Sequence, residues 1–192
     1  MKDRFAHFIR TITIPPVLAL CMLLILWYDF GNLFASFPAL CGAILCLVII
    51  PVCAYPAAVI WKGKEADTRN RQRSLAFALN LFGYAGALLL SLITSRGQML
   101  LIVTSAYFAA ALLLTILNKV FHIKASGHAC SCVLPFLFLV YWLGAKAAGL
   151  CVLIYLAEFW ASVSLKRHTV KEFLTGSAAA AVVFACFWGT LL

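Results

Sequence analysis

Apolar residues run in long blocks broken by short polar clusters, without the 3.6-residue stripe of a half-buried helix or the alternation of a strand. The blocks cover Ile12 to Tyr28, Ala35 to Trp61, Ser74 to Thr94, Met99 to Leu117, Ala129 to Gly144, Leu150 to Leu165 and Phe173 to Leu192. About 17 to 25 apolar residues cross the ~30 Å hydrocarbon layer as a helix. The pattern therefore predicts an all-α, polytopic transmembrane bundle of six or seven helices. The second block is the longest and carries Pro51 and Pro56, which predicts a kink or tilt. The fifth and sixth are short and joined by "GAKAAG".

Composition sharpens this picture. Of 192 residues, 65% are hydrophobic and 11% charged, outside the range of a water-soluble globular domain, so residues 1–192 read as a single integral membrane domain. Lys2, Arg4 and Arg10 precede the first block with no small-residue cleavage site, as in a retained start-transfer helix. Six of the eight cysteines, Cys21, Cys41, Cys46, Cys53, Cys151 and Cys186, sit among aliphatic residues and read as reduced packing residues. Cys130 and Cys132, two positions apart on a helix, diverge and do not suggest a metal site. The run Ala178 to Ala181 suits close helix packing.

Charge gives orientation. If the blocks alternate in direction, all but Arg96 and Lys146 of the fifteen lysines and arginines fall on one side, together with His7, His122, His128 and His168. Short loops rich in Lys and Arg stay in the cytoplasm, so the N-terminus is expected inside, most plausibly at the cell membrane. The simplest role for Lys2, Arg4 and Arg10 is orientation and contact with anionic headgroups.

The same folding joins two polar segments. From His128 to His168 is forty residues, about 60 Å of helix at ~1.5 Å per residue, or two crossings of the bilayer. "KASGHA" and "LKRHTVKEFLTG" thus return to one membrane face. Ser126 and Gly127 precede an apolar helix, so Ser126 is a candidate N-cap and the helix start a candidate oxyanion site, with Lys124 beside it. His168 and Glu172 stand four apart and share a helix face, so the carboxylate can orient the imidazole. Thr169 and Glu172 also spell a capping box, Thr-x-x-Glu, which alone would only start the last helix. Lys166 and Arg167 add cations.

These residues carry a resemblance. "KASGHA" followed by "LKRHTVKEFLTG" resembles the second and third signature motifs of the type 2 phosphatidic acid phosphatase superfamily, which includes membrane lipid phosphatases and vanadium haloperoxidases. The family pattern is Lys-x6-Arg-Pro, then Pro-Ser-Gly-His, then Ser-Arg-x5-His-x3-Asp. Ser126, Gly127 and His128 match the second motif, with Ala125 for proline; His168 and Glu172 match the histidine and acid of the third, and Gly176 the glycine that often follows. The arginine of the third motif falls at Ser162, so Arg167 or Lys166 would have to compensate. Lys64 and Arg71 have the spacing of the first motif, but Gln72 follows where the family has proline.

The resemblance implies a phosphatidic acid phosphatase-like bundle and a phosphatase that works through a phosphohistidine. His168 would be the nucleophile, Glu172 its stabiliser and His128 the acid on the leaving group. Lys124, Ser126, Gly127, Arg71, Arg73 and Arg167 would hold the phosphate oxygens. No metal and no cofactor are required. The implied partners are the bilayer and a lipid phosphate or polyprenyl (di)phosphate, with no nucleic acid. Two other readings remain: a non-catalytic member of the same fold that binds or moves anionic lipids, suggested by Ser162, and an unrelated small transporter, suggested by Glu158 within the sixth block. On the phosphatase reading, Glu158 supports the site or pairs with a buried cation, and Asn80, Tyr84 and Asn118 bond across helices or line the site.

Overall fold

A proline pair sets the first boundary in the chain. The residue before proline is pushed out of the helical region, and Ile14 is extended at φ −60°, ψ 144°. One helix therefore stops and another begins with Pro15 and Pro16 in its first turn, where their missing N–H groups cost nothing. The computed structural model describes residues 2–54, 56–57, 65–94 and 98–191, with the side chains of 65–73, 190 and 191 outside the description.

Among the described residues the protein is all-helical. The elements are α1 (Lys2–Ile12), α2 (Pro15–Phe30), α3 (Phe37–Ile44, continued by Leu45–Ile49 and Ile50–Val52), α4 (Glu65–Thr94), α5 (Gln98–Thr115, continued by Ile116–Val120), α6 (Gly127–Leu143), α7 (Ala145–Ser164) and α8 (Val170–Leu191). Five stretches are long and apolar enough to cross a membrane: Pro15–Leu33, Ser74–Thr94, Gln98–Val120, Ala145–Ser164 and Val170–Gly189. Phe37–Val52 and Gly127–Leu143 are apolar but shorter. Large apolar side chains such as Phe82, Leu89, Ile93, Leu150 and Leu153 point outward, a surface compatible with an integral membrane protein and costly in water.

Three expectations change or take a more specific form. The N-terminal segment is not merely a charged leader to the first span. It forms α1, whose Ala6 and Ile9 are buried against Ala161 of α7, while Phe5, Phe8 and Ile12 make an exposed apolar stripe beside polar Arg4, His7 and Thr11. The kink expected in the second block takes the form of a change in backbone hydrogen bonding, and residues 55 and 58–61 of that block lie outside the described residues. The backbone widens into a π turn at Leu45–Ile49 just ahead of Pro51, which has no N–H to return to the carbonyl four residues back. A turn follows at Cys53. Finally, "GAKAAG" is not a loop. Gly144 alone joins α6 to α7 at φ +65°, a conformation open to glycine, and the remainder is the first turn of α7.

Both the first and the last described helices pack against the central pair α6 and α7. α8 lies along α6 with Ala179 and Ala180 buried in the contact, small residues that let backbones approach. α1 packs on α7, and α2 packs on α6. Cys130, Cys132 and Cys151 are buried, but Cys21, Cys41, Cys53 and Cys186 are exposed on outer helix faces and do not pack in the core; all eight cysteines are free.

Candidate functional site

Two polar loops that are distant in sequence are tied by a backbone bond. Ser126 N donates to the carbonyl of Glu172 at 2.9 Å, which joins the start of α6 to the first turn of α8. Such closeness requires glycine on the facing helix. A Cβ on Gly176 would sit 2.2 Å from the Ser126 carbonyl oxygen. The loop before α6 is held from its other side by Asn118, in the π turn that ends α5, which donates to Ala125 O at 3.1 Å and accepts from Ala125 N at 3.3 Å. Asn118 thus takes the bonding role, whereas Asn80 and Tyr84 line the cavity.

Ser126 is the N-cap of α6: its hydroxyl accepts from Ala129 N at 3.2 Å. With its amide bonded to Glu172 and its side chain fully buried, Ser126 shapes the site and does not present donors to a ligand. Gly127 does line the cavity, at the helix start where the first amides have no intrahelical partner. At the start of α8 both readings of Glu172 hold together. Thr169 N donates to Glu172 Oε2 and Glu172 N to Thr169 Oγ1, each at 3.2 Å, which is the capping box; the same Oε2 lies 3.4 Å from His168 Nδ1. The carboxylate therefore fixes the ring, with Nε2 on its far side.

A cavity of about 260 Å³ opens between these loops. His128, His168, Gly127, Arg167 and Arg10 line its polar end; Phe77, Ala110, Ala111, Leu114 and Leu134 line its apolar part. Both histidines thus share one chamber. Lys124 is exposed and does not line it. Lys64, and the side chains of Arg71 and Arg73, lie outside the described residues.

Arg10 is the residue missed from sequence. At the end of α1 it donates from Nη1 to Ser162 Oγ at 2.6 Å and lies 3.7 Å from Glu158 Oε1. The guanidinium therefore reaches Ser162 of α7 from α1. Its role is not confined to orientation and headgroup contact. Ser162 also donates to Glu158 Oε1 at 2.8 Å, and its carbonyl receives Arg167 N at 3.0 Å. Lys166, at φ +51°, turns the chain from α7 toward α8.

Glu158 anchors this network. It is fully buried, accepts from Ser162 and from Thr13 Oγ1, pairs with Arg10, and lies 3.4 Å from His128 Nε2. It is the partner of a partly buried cation, as expected. For His128, in the first turn of α6 and outside the five long apolar stretches, burial first, then Arg10 and His168, lower the pKa from 6.5 to about 3, while the Glu158 carboxylate 3.4 Å away acts in the opposite sense. The chamber as a whole offers a carboxylate-oriented imidazole, a neutral imidazole, guanidinium groups and a helix start, a set suited to a tetrahedral oxyanion. No family model, no curated protein and no solved structure matches this chain.

Proposed function

We propose that the protein is a membrane-embedded phosphatase of the type 2 phosphatidic acid phosphatase kind, hydrolysing a lipid phosphate or polyprenyl (di)phosphate without a metal. The observation that carries this reading is the meeting of the His168–Glu172 pair, His128, Arg10 and Arg167 around one cavity that continues into an apolar part. The site lies at the end of the bundle that gathers the basic loops, which on the positive-inside rule is the cytoplasmic side of the cell membrane.

The mechanism follows from these positions. A phosphate ester enters with its oxygens toward Arg10, Arg167 and the first amides of α6, which stabilise charge on the equatorial oxygens. His168 Nε2 attacks phosphorus in line; the N–P bond forms as the ester P–O bond breaks. Glu172 stabilises the imidazolium through Nδ1. His128 is neutral at rest, so the proton that the leaving alkoxide needs comes with the phosphate monoanion and passes through His128, where Glu158 favours the charged ring. Water then attacks phosphorus, giving a proton to His128 as the new O–P bond forms and the N–P bond breaks; that proton leaves with the phosphate, and both imidazoles return to their starting state.

The test is phosphate release by purified protein in detergent from phosphatidic acid and from a polyprenyl diphosphate. Wild type should turn over at least one, and His168→Ala should reduce turnover to background. Equal release by that variant would refute the reading. Lipid binding without turnover in the wild type would favour the non-catalytic alternative.

A further inference from the structure

Deep in the same cavity is a polar atom that the chemistry at its mouth does not use. Tyr107, Ala110, Ala111 and Leu114 form the stripe of α5 that faces the chamber. Leu114 is level with the mouth, since Asn118 bridges its carbonyl to that of Ala125. Seven residues earlier, about 10 Å deeper at ~1.5 Å per residue, Tyr107 is 2% exposed, and its hydroxyl has no hydrogen-bond partner among the described residues. Its ring is fixed edge-on to Tyr84 at 5.4 Å, which holds the hydroxyl in place. A buried hydroxyl without a partner costs free energy that an apolar residue there would not, and it is satisfied by whatever oxygen a ligand brings to that depth. Ser131 and Asn80 also line the chamber, so its inner part is not purely hydrocarbon-like.

We propose that the Tyr107 hydroxyl is a second polar subsite, which selects phosphate esters bearing ester oxygens further down the chain from the phosphate, as an acylglycerol does, over esters whose chain is hydrocarbon throughout, as a prenyl chain is. A prenyl chain passing Tyr107 leaves the hydroxyl unpaired; a glycerol ester or hydroxyl oxygen pairs with it. Sites built around a buried hydrogen-bonding group discriminate strongly against analogues lacking the matching atom. The inference rests on the phosphatase reading for its reaction, though not for its binding.

Tyr107→Phe removes one oxygen and keeps the packing, with the melting temperature as a check on folding. Rates are compared for dioctanoyl phosphatidic acid, glycerol 3-phosphate and farnesyl phosphate. Thermal shifts are read in parallel with the non-hydrolysable phosphonates of the first and last. Tyr107→Phe should lower kcat/KM for the acylglycerol phosphate about 5- to 10-fold, leave farnesyl phosphate unchanged, and produce the same split in the thermal shifts. Turnover of glycerol 3-phosphate as good as that of the lipid would move the selected chemistry from a lipid to a soluble ester while keeping the subsite. An equal effect on both chain types, or none on either, overturns the subsite. If wild type hydrolyses nothing, the phosphatase reading fails and the thermal shifts still decide: Tyr107-dependent binding of the acylglycerol phosphonate supports the subsite, and Tyr107-independent or absent binding refutes it.

Discussion

Arg10 brings a guanidinium to α7 from 152 residues away, bonded to Ser162. On the phosphatase reading it takes the place of the arginine that the resembled motif would have at 162, and the two positions should then be exchangeable. Arg10→Ala should lower kcat/KM for phosphate release by about 10²- to 10³-fold, the range for removing one donor to a developing oxyanion. Adding Ser162→Arg to that variant should recover part of the loss. A double variant no better than Arg10→Ala, with an unchanged melting temperature, would assign Arg10 to support of Glu158 alone. His168, Glu172 and His128 were legible because each lies in a local pattern with its own spacing. Arg10 was not, because a cation before a first span has a sufficient explanation in topology. The signal that was present is the break at Pro15–Pro16 after a stretch with apolar residues at Phe5, Phe8, Ile9 and Ile12.

Between helices, the site depends on small residues at close approaches. Gly176 is the clearest case. Alanine there would put its Cβ against a backbone oxygen that cannot rotate away, so α8 must shift from the start of α6. Overpacking of this kind costs about 1–3 kcal/mol, and the Ser126–Glu172 bond would lengthen with the shift. Gly176→Ala should therefore lower both melting temperature and phosphate release, whereas Gly149→Ala, with open space around its Cβ, should change neither. Gly83, packed against the Cys46 carbonyl, fixes α4 on α3 by the same means. Most helices were legible as apolar blocks. Their ends were less so, because hydropathy does not register backbone hydrogen bonding: the π turn ahead of Pro51 and the one-residue joint at Gly144 are consequences of donors and dihedral angles, not of polarity.

At the scale of the whole molecule, the proposed reading requires the basic loops and the histidines to lie on one side of the membrane. In a background lacking the eight native cysteines, Lys124→Cys and Lys166→Cys should react with an impermeant thiol reagent from the same side of the membrane, and Lys146→Cys from the other. Labelling of the first two from opposite sides would dismantle the site. The expectation of one-sidedness comes from charge alone, because it needs only alternation of direction. The inward reach of the cavity was legible only in part: Asn80 was a candidate to line the site, but Tyr107 lies in a block whose composition gives no sign of which face meets a chamber.

Arg10 lies in α1 and Glu172 in α8, so six helices are made between them. Since the chamber needs both, a chain halted between them during membrane insertion carries no closed site. On the phosphatase reading, competence would come with docking of α8, so that turnover could begin only once α1 and α8 are both in place.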